Sequence, residues 1–264
     1  MRRLPILCLL LLVAAPALWW SCQDDHRRQP QRVQERPAEV PETIIARATS
    51  PIVIDGLSND AAWEAAIGIS FVFPWNDITM ETAQSTVARM LYDDEALYLL
   101  YECIDPYIDA EVTEKDGPVW EEDAVEIFAT PNPGDITAYF GYEMNANGTF
   151  LDYMAFKGGE IRTENIHFEW ESEGVQLKTT LDGTMNDHSD KDRGWVLEMA
   201  IPMENFRHLG GHIPPRPGDM WRLNLNRTKG HEGQFSMWSD TGTETASFHH
   251  SAYFGRAWFS RKGE

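Results

Sequence analysis

The chain of 264 residues carries 42 acidic against 22 basic side chains, a formal net charge of -20 at pH 7. Such a surface repels phosphate backbones and anionic headgroups, which excludes nucleic acid as an expected partner and leaves neutral ligands and hard cations such as calcium. The length suits one large domain or two small ones once a removable leader is subtracted.

Arg2 and Arg3 form a short basic start, and the run from Leu4 to Leu18 is almost wholly apolar. It is too short and too abruptly ended for a membrane span and reads as an export signal over residues 1–21. Trp19-Trp20-Ser21-Cys22 follows, a small residue before a cysteine. It resembles a bacterial lipobox, with Trp19 an unusual occupant, and implies lipidation at Cys22. The expectation is an exported lipoprotein, periplasmic or at the cell surface, that touches a membrane only through its lipid; soluble export with cleavage nearby is the alternative. Cys8 lies in the leader, so Cys103 is left alone in the mature domain and no disulfide framework forms. A bridge from Cys22 to Cys103 is open only if Cys22 is not lipidated. Cys103 sits in an apolar alternating run and reads as a buried, inert thiol.

Residues 22–43 are polar, with Pro30, Pro37 and Pro41 and no apolar periodicity, and read as a flexible tether. From Ile44 to the end, residues 44–264, aromatic and β-branched runs of strand length recur between turn residues. The clearest are Thr86 to Tyr92, Ala96 to Ile104, Asp123 to Ala129, Ala138 to Met144, Gly174 to Leu181, Trp195 to Ile201 and Trp221 to Thr228. Asn145-Ala146-Asn147-Gly148 predicts a hairpin turn, because Asn and Gly tolerate positive φ. Short helical pieces are expected at Asn59 to Ala66, capped by Ser58 or Asn59, and at Met203 to Phe206 after Pro202. The sum is an all-β domain, a two-sheet antiparallel β-sandwich of jelly-roll-like build with short helical connections.

Strand periodicity then sorts the polar residues. In Asp123 to Ala129, Val125, Ile127 and Ala129 share one face, and Ala124, Glu126 and Phe128 share the other. Glu126 interrupts an apolar face, and a carboxylate there needs a partner, water or a ligand; a salt-bridged sheet residue is the plain alternative. Trp120 precedes this strand in a loop containing Gly117 and Pro118, where an indole either offers a platform for the apolar face of a pyranose or folds back onto the sandwich. In Trp221 to Arg227 one face is Trp221, Leu223 and Leu225 and the other Arg222, Asn224 and Asn226, a ladder of donors and acceptors that strands ordinarily avoid.

These residues carry a resemblance. Ile54-Asp55-Gly56 with Trp63, Leu97-Tyr98-Leu99 running on to Ile104-Asp105-Pro106, Trp120 to Phe128, Trp195 to Ile201, Trp238-Ser239-Asp240 and Phe254-Gly255 follow in the order seen in family 9 carbohydrate-binding modules. The most specific stretch is Trp120-Glu121-Glu122-Asp123-Ala124-Val125-Glu126-Ile127-Phe128. The resemblance implies a DOMON-like sandwich that holds a small sugar or a glycan chain end between two aromatic rings, with structural calcium in some members. By position it places Trp120 as one clamp aromatic, Glu126 as the hydroxyl-binding carboxylate, and Asn226, with Asn224 beside it, as the binding amide. The second clamp Trp falls at Phe248, and the family's basic hydroxyl-binding residue has no counterpart, the strand offering Gly141 and Glu143 instead.

The resulting expectation is non-catalytic sugar binding in support of carbohydrate catabolism, with no catalytic residue. Two alternatives stay open: a glycoside hydrolase drawing two carboxylates from Glu126, Glu143 and Glu198, and a haem-binding electron-transfer domain using Met90, Met144, Met199 or Met237, although strand methionines are ordinarily core filler. Asp187, Asp190 and Asp192 read as an acidic turn or a loose calcium site.

Overall fold

Alternation of apolar and polar side chains favours strands wherever one face is buried, and thirteen strands form among residues 39–78, 83–156, 165–229 and 233–260, which a computed structural model describes. All lie within the unit spanning residues 36–264. The leader and Cys22 lie outside the described residues.

The strands make two layers joined by one strand. The first layer runs β8 (Ile166–His167), β7 (Phe150–Ala155), β6 (Tyr139–Asn145), β5 (Ala124–Thr130), β11 (Met220–Lys229), β13 (Gly255–Phe259) and β1 (Glu42–Arg47), with β12 (Gln234–Met237) beside β11. The second continues from β1 through β3 (Thr86–Tyr92), β4 (Ala96–Ile104) and β10 (Gly194–Pro202) to β9 (Gln176–Asp182), with β2 (Ile69–Ser70) beside β3. Glu42 to Ile45 pair with β13, whereas Ala46 and Arg47 pair with β3, so β1 passes from one layer to the other. Both β1 pairings are parallel, and every other pairing between named strands is antiparallel. The expected sandwich therefore stands, with mixed orientation at β1. This strand starts at Glu42, so the last two residues of the expected tether are sheet.

The main core fills the space between the layers, where Val125, Ile127, Leu223 and Leu225 of the first pack with Leu97, Leu99, Leu197 and Met199 of the second. Tyr101 of β4 donates across it to the Glu126 carbonyl of β5 at 2.9 Å. Cys103 is buried and free, and burial pushes its thiol up to about 12, which keeps it protonated and inert. At one end the core face of β11 turns ionic. Arg227 donates to Asp105 at 2.8 Å, and Lys229 pairs with Asp123 at 2.8 Å and Asp105 at 3.3 Å, all four side chains being buried. Four opposed charges in contact satisfy one another where a single one would be costly.

Local expectations hold with small shifts. The β6–β7 hairpin closes with Gly148 at φ 86° and its N–H on the Asn145 carbonyl at 3.0 Å. Residues Ala61–Ala65 form a 3-10 turn whose N-cap is Asp60, not Ser58 or Asn59, and the Asp60 carboxylate accepts instead from Val53 N at 2.8 Å. The turn after Pro202 extends over Met203–Leu209. Glu198 on the outer face of the second layer receives Trp63 Nε1 at 2.9 Å and the backbone N–H groups of Asp55 and Gly56, so the Ile54-Asp55-Gly56 stretch and Trp63 form a structural clasp.

Candidate functional site

The outer face of the first layer is the site floor. Glu126 and Phe128 of β5 point there, opposite to Val125 and Ile127. Register places Glu126 directly across from Glu143 of β6 on one side and Asn226 of β11 on the other. A second apolar cluster with Phe128, Tyr139, Tyr153, Phe248 and Phe254 covers much of this face. Between them opens a cavity of about 350 Å³ whose walls include Trp120, Tyr153, Phe168, Phe235 and Phe248, with Glu126 and Glu143 also lining it. This is the size and makeup of a small-molecule site.

Trp120 is mounted with care. It lies in a 3-10 turn, Val119–Glu121, whose first side chain is wholly buried in the second cluster. Glu122 fastens the turn from behind, one oxygen accepting from Glu111 N and Val112 N at 2.7 and 2.8 Å and the other from Asn145 Nδ2 at 3.0 Å. With both flanks fixed, the indole stays 42% exposed rather than folding onto the sandwich.

Glu126 and Glu143 are only 2% and 4% exposed. Asn226 Nδ2 donates to Glu126 at 3.2 Å, and Tyr153 Oη donates to Glu143 at 2.8 Å. The second Glu143 oxygen and the Asn226 amide oxygen are buried with no partner. Burial pushes the Glu143 carboxyl up to about 7, and burial together with the facing Glu143 charge raises Glu126 well above the carboxylate range. Facing each other across β5 and β6 without a cation among the described residues, both carboxyls are biased toward their protonated forms near neutrality. Tyr153 reaches Glu143 because position 141 is glycine, a Cβ there falling 2.2 Å from the Tyr153 ring.

Trp120, Glu126 and Phe248 thus meet in one cavity, and Asn226 braces Glu126 from the adjoining strand. Phe248 is only 6% exposed, packed against Trp75 and Phe235 at ring separations of 5.6 and 6.1 Å. Asn224 is apart from them. Its amide is consumed by Ser239, donating to the carbonyl and accepting from the N–H, both at 2.9 Å. Its neighbours on that face act alike: Arg222 holds the Phe254 and Ala252 carbonyls, and Thr228 holds the Glu122 carbonyl at 3.0 Å. The polar ladder of β11 mostly fastens loops over the sheet. Not foreseen are Tyr153, Phe168 and Phe235. Phe168 is 37% exposed and lies 5.6 Å from Tyr153, while His249 stacks on Phe128 at 4.7 Å and meets Tyr139 Oη at 2.8 Å. Burial lowers the His249 pKa, so the ring is neutral.

The competing constellations are dispersed. Glu198 belongs to the second layer and its own clasp, away from Glu126 and Glu143. Met90, Met144 and Met199 are buried in the main core, and Met237 is in the second cluster. Asp187, Asp190 and Asp192 each accept hydrogen bonds within their turn region, from Ser189 N, Thr184 Oγ1 and Thr184 N respectively. Among the described residues one trio, Asp116, Asp152 and Glu171, brings carboxylate oxygens within 4.8 Å of one another. Lys115 Nζ sits among them, 2.9 Å from Asp116 and 2.8 Å from Asp152 and also paired to Glu171, so an ammonium fills the place of a hard cation and the trio does not fit calcium.

Comparison with known proteins shows the family and the fold. Residues 54–262 match the family described as carbohydrate family 9 binding domain-like. A Bacteroides uniformis protein provisionally described as carbohydrate-binding superposes with a TM-score of 0.65 at 21% identity, covering 84% of this chain and 100% of that one. Family 9 carbohydrate-binding modules from Caldicellulosiruptor kristjanssonii, solved with cellotriose and with glucose, give TM-scores of 0.54 and 0.52 at 17% and 18% identity. They cover 84% of this chain and 95% and 98% of theirs. Endo-1,4-beta-xylanase C of Paenibacillus barcinonensis is 24% identical over 189 residues, 70% of this chain but 15% of the xylanase.

Proposed function

The chain belongs to the carbohydrate family 9 binding domain-like family, and on that premise we propose that its cavity holds a small sugar or the end of a glycan chain without transforming it. One observation carries the reading: an exposed indole, Trp120, beside buried carboxylates in a cavity of about 350 Å³. An aromatic face takes the C–H side of a pyranose while carboxylate and amide oxygens take its hydroxyls. The neighbours solved with cellotriose and glucose support a pyranose as the ligand class, and the stretch shared with the xylanase supports a module that accompanies carbohydrate-active enzymes.

The second aromatic face in this reading is Phe168, since Phe248 is mostly spent on packing. The placement of the carboxylates supports a non-catalytic role. Glu126 and Glu143 lie side by side on adjacent strands of one floor, whereas glycoside hydrolysis needs two carboxyls flanking the bond to be cut.

A glycan array and calorimetry on the wild type and Trp120→Ala test the proposal. The wild type binds, Trp120→Ala loses about tenfold or more, a scale set by stacking contributions of a kcal/mol or two, and no reducing sugar is released during incubation. Equal binding by both proteins removes Trp120 as the platform, and sugar release contradicts the non-catalytic reading.

The export signal and Cys22 motif support placement at the cell envelope on a lipid anchor. Palmitate labelling of the expressed protein that Cys22→Ser abolishes is the expected result; labelling that survives the substitution rules out that anchor.

A further inference from the structure

The acid pair under the cavity points to a more specific ligand. Elsewhere in the protein the buried acids Asp105 and Asp123 share Arg227 and Lys229, and the single buried Asp152 has Lys115. Glu126 and Glu143 have none among the described residues. Among the described residues no lysine or arginine lines the cavity, the neighbouring His249 is neutral, and the remaining polar contacts are the Asn226 amide and the Tyr153 hydroxyl. One Glu143 oxygen and the Asn226 amide oxygen are buried acceptors left without a donor. A neutral sugar hydroxyl supplies one donor; an ammonium supplies three and the missing charge. The walls suit it too, because Trp120, Tyr153 and Phe168 offer aromatic faces that attract cations as well as pyranose C–H groups.

We propose that the cavity selects an amino sugar, a pyranose whose free ammonium is bound by Glu126 and Glu143. The inference rests on the sugar-binding reading above. It makes Glu143 the specificity-determining position. On ligand binding one of the two carboxyls, kept protonated by burial, releases its proton to solvent and the ammonium takes its place, so the net charge in the cavity is unchanged.

The test is calorimetry with glucosamine, glucose and N-acetylglucosamine near pH 6.5, where the amine is largely protonated, on the wild type and Glu143→Gln. Wild type binds glucosamine about tenfold or more tightly than the two neutral sugars, as a charge-assisted contact provides, and takes it up with proton release seen as a buffer-dependent heat. Glu143→Gln keeps its melting cooperativity and loses the preference. If glucose binds as well as glucosamine, the amino-sugar inference fails while sugar binding stands. If none of the three sugars nor their short oligomers binds, both readings fall.

Discussion

Glu143 lies across β5–β6 from a second buried carboxyl, and the two are free of any neighbouring cation among the described residues. Their cost to the fold is readable as a pH dependence. Both carboxyls titrate higher in the folded protein than in the unfolded chain, Glu143 at about 7. The folded state therefore holds protons that the unfolded state releases, and the stability this contributes is complete below the ordinary carboxylate range near 4 and is lost as pH rises toward and through about 7. The melting temperature should accordingly fall between about pH 5 and about pH 8. Glu143→Gln removes one ionising partner, so at about pH 8 it should stabilise by about 1–3 kcal/mol and flatten the profile. Parallel profiles for the two proteins would show that the pair is not strained. A residue that costs stability and is relieved by an isostere is the ordinary mark of a binding position.

At the scale of elements, β11 organises the site. Its inner face builds core with Trp221, Leu223 and Leu225 and ends in the Arg227 and Lys229 ion cluster, while its outer face holds loops. Asn224→Ala leaves the Ser239 N–H and carbonyl without their partner, a loss of about 1–2 kcal/mol. Denaturant unfolding should register it, and amide exchange should rise across residues 238–250, where Phe248 sits; unchanged exchange there would separate Asn224 from loop fastening. The alternation of β11 and β5 was readable because each has one core face, and β3 and β4 were bounded to the residue. The strand β7 was not read: Leu151, Asp152 and Tyr153 are all buried, so period two leaves no polar trace. β8 and β2 are two-residue pairings too short for any periodicity, and β1 and β13 mark a parallel junction that local sequence does not encode. Trp120 and Glu126 were legible as an aromatic and a charge in unsuitable places. Phe168 comes from an irregular segment brought over the sheet by long-range contacts, and Gly141 announced only an absent side chain, not the Tyr153 that fills it.

For the whole molecule, a net charge of -20 sets the problem of confining acids. Two lysines, buried Lys229 and exposed Lys115, meet part of it. Lys229 lies between Asp105 and Asp123, and Lys115 among Asp116, Asp152 and Glu171. The melting temperature should then be the same in calcium and in chelator, whereas Lys229→Met, which leaves buried Asp123 without its cation while Asp105 keeps Arg227, should cost about 3–5 kcal/mol. A large fall in chelator would show that a metal carries charge these lysines do not. Sugar recognition is the claim on which the rest depends, and a crystal structure of the protein with its best array ligand tests it most directly. A pyranose should occupy the cavity above β5, β6 and β11, its ring on Trp120 and its polar groups on Glu126 and Glu143. A sugar bound on any other face, with this cavity holding only water, would contradict it.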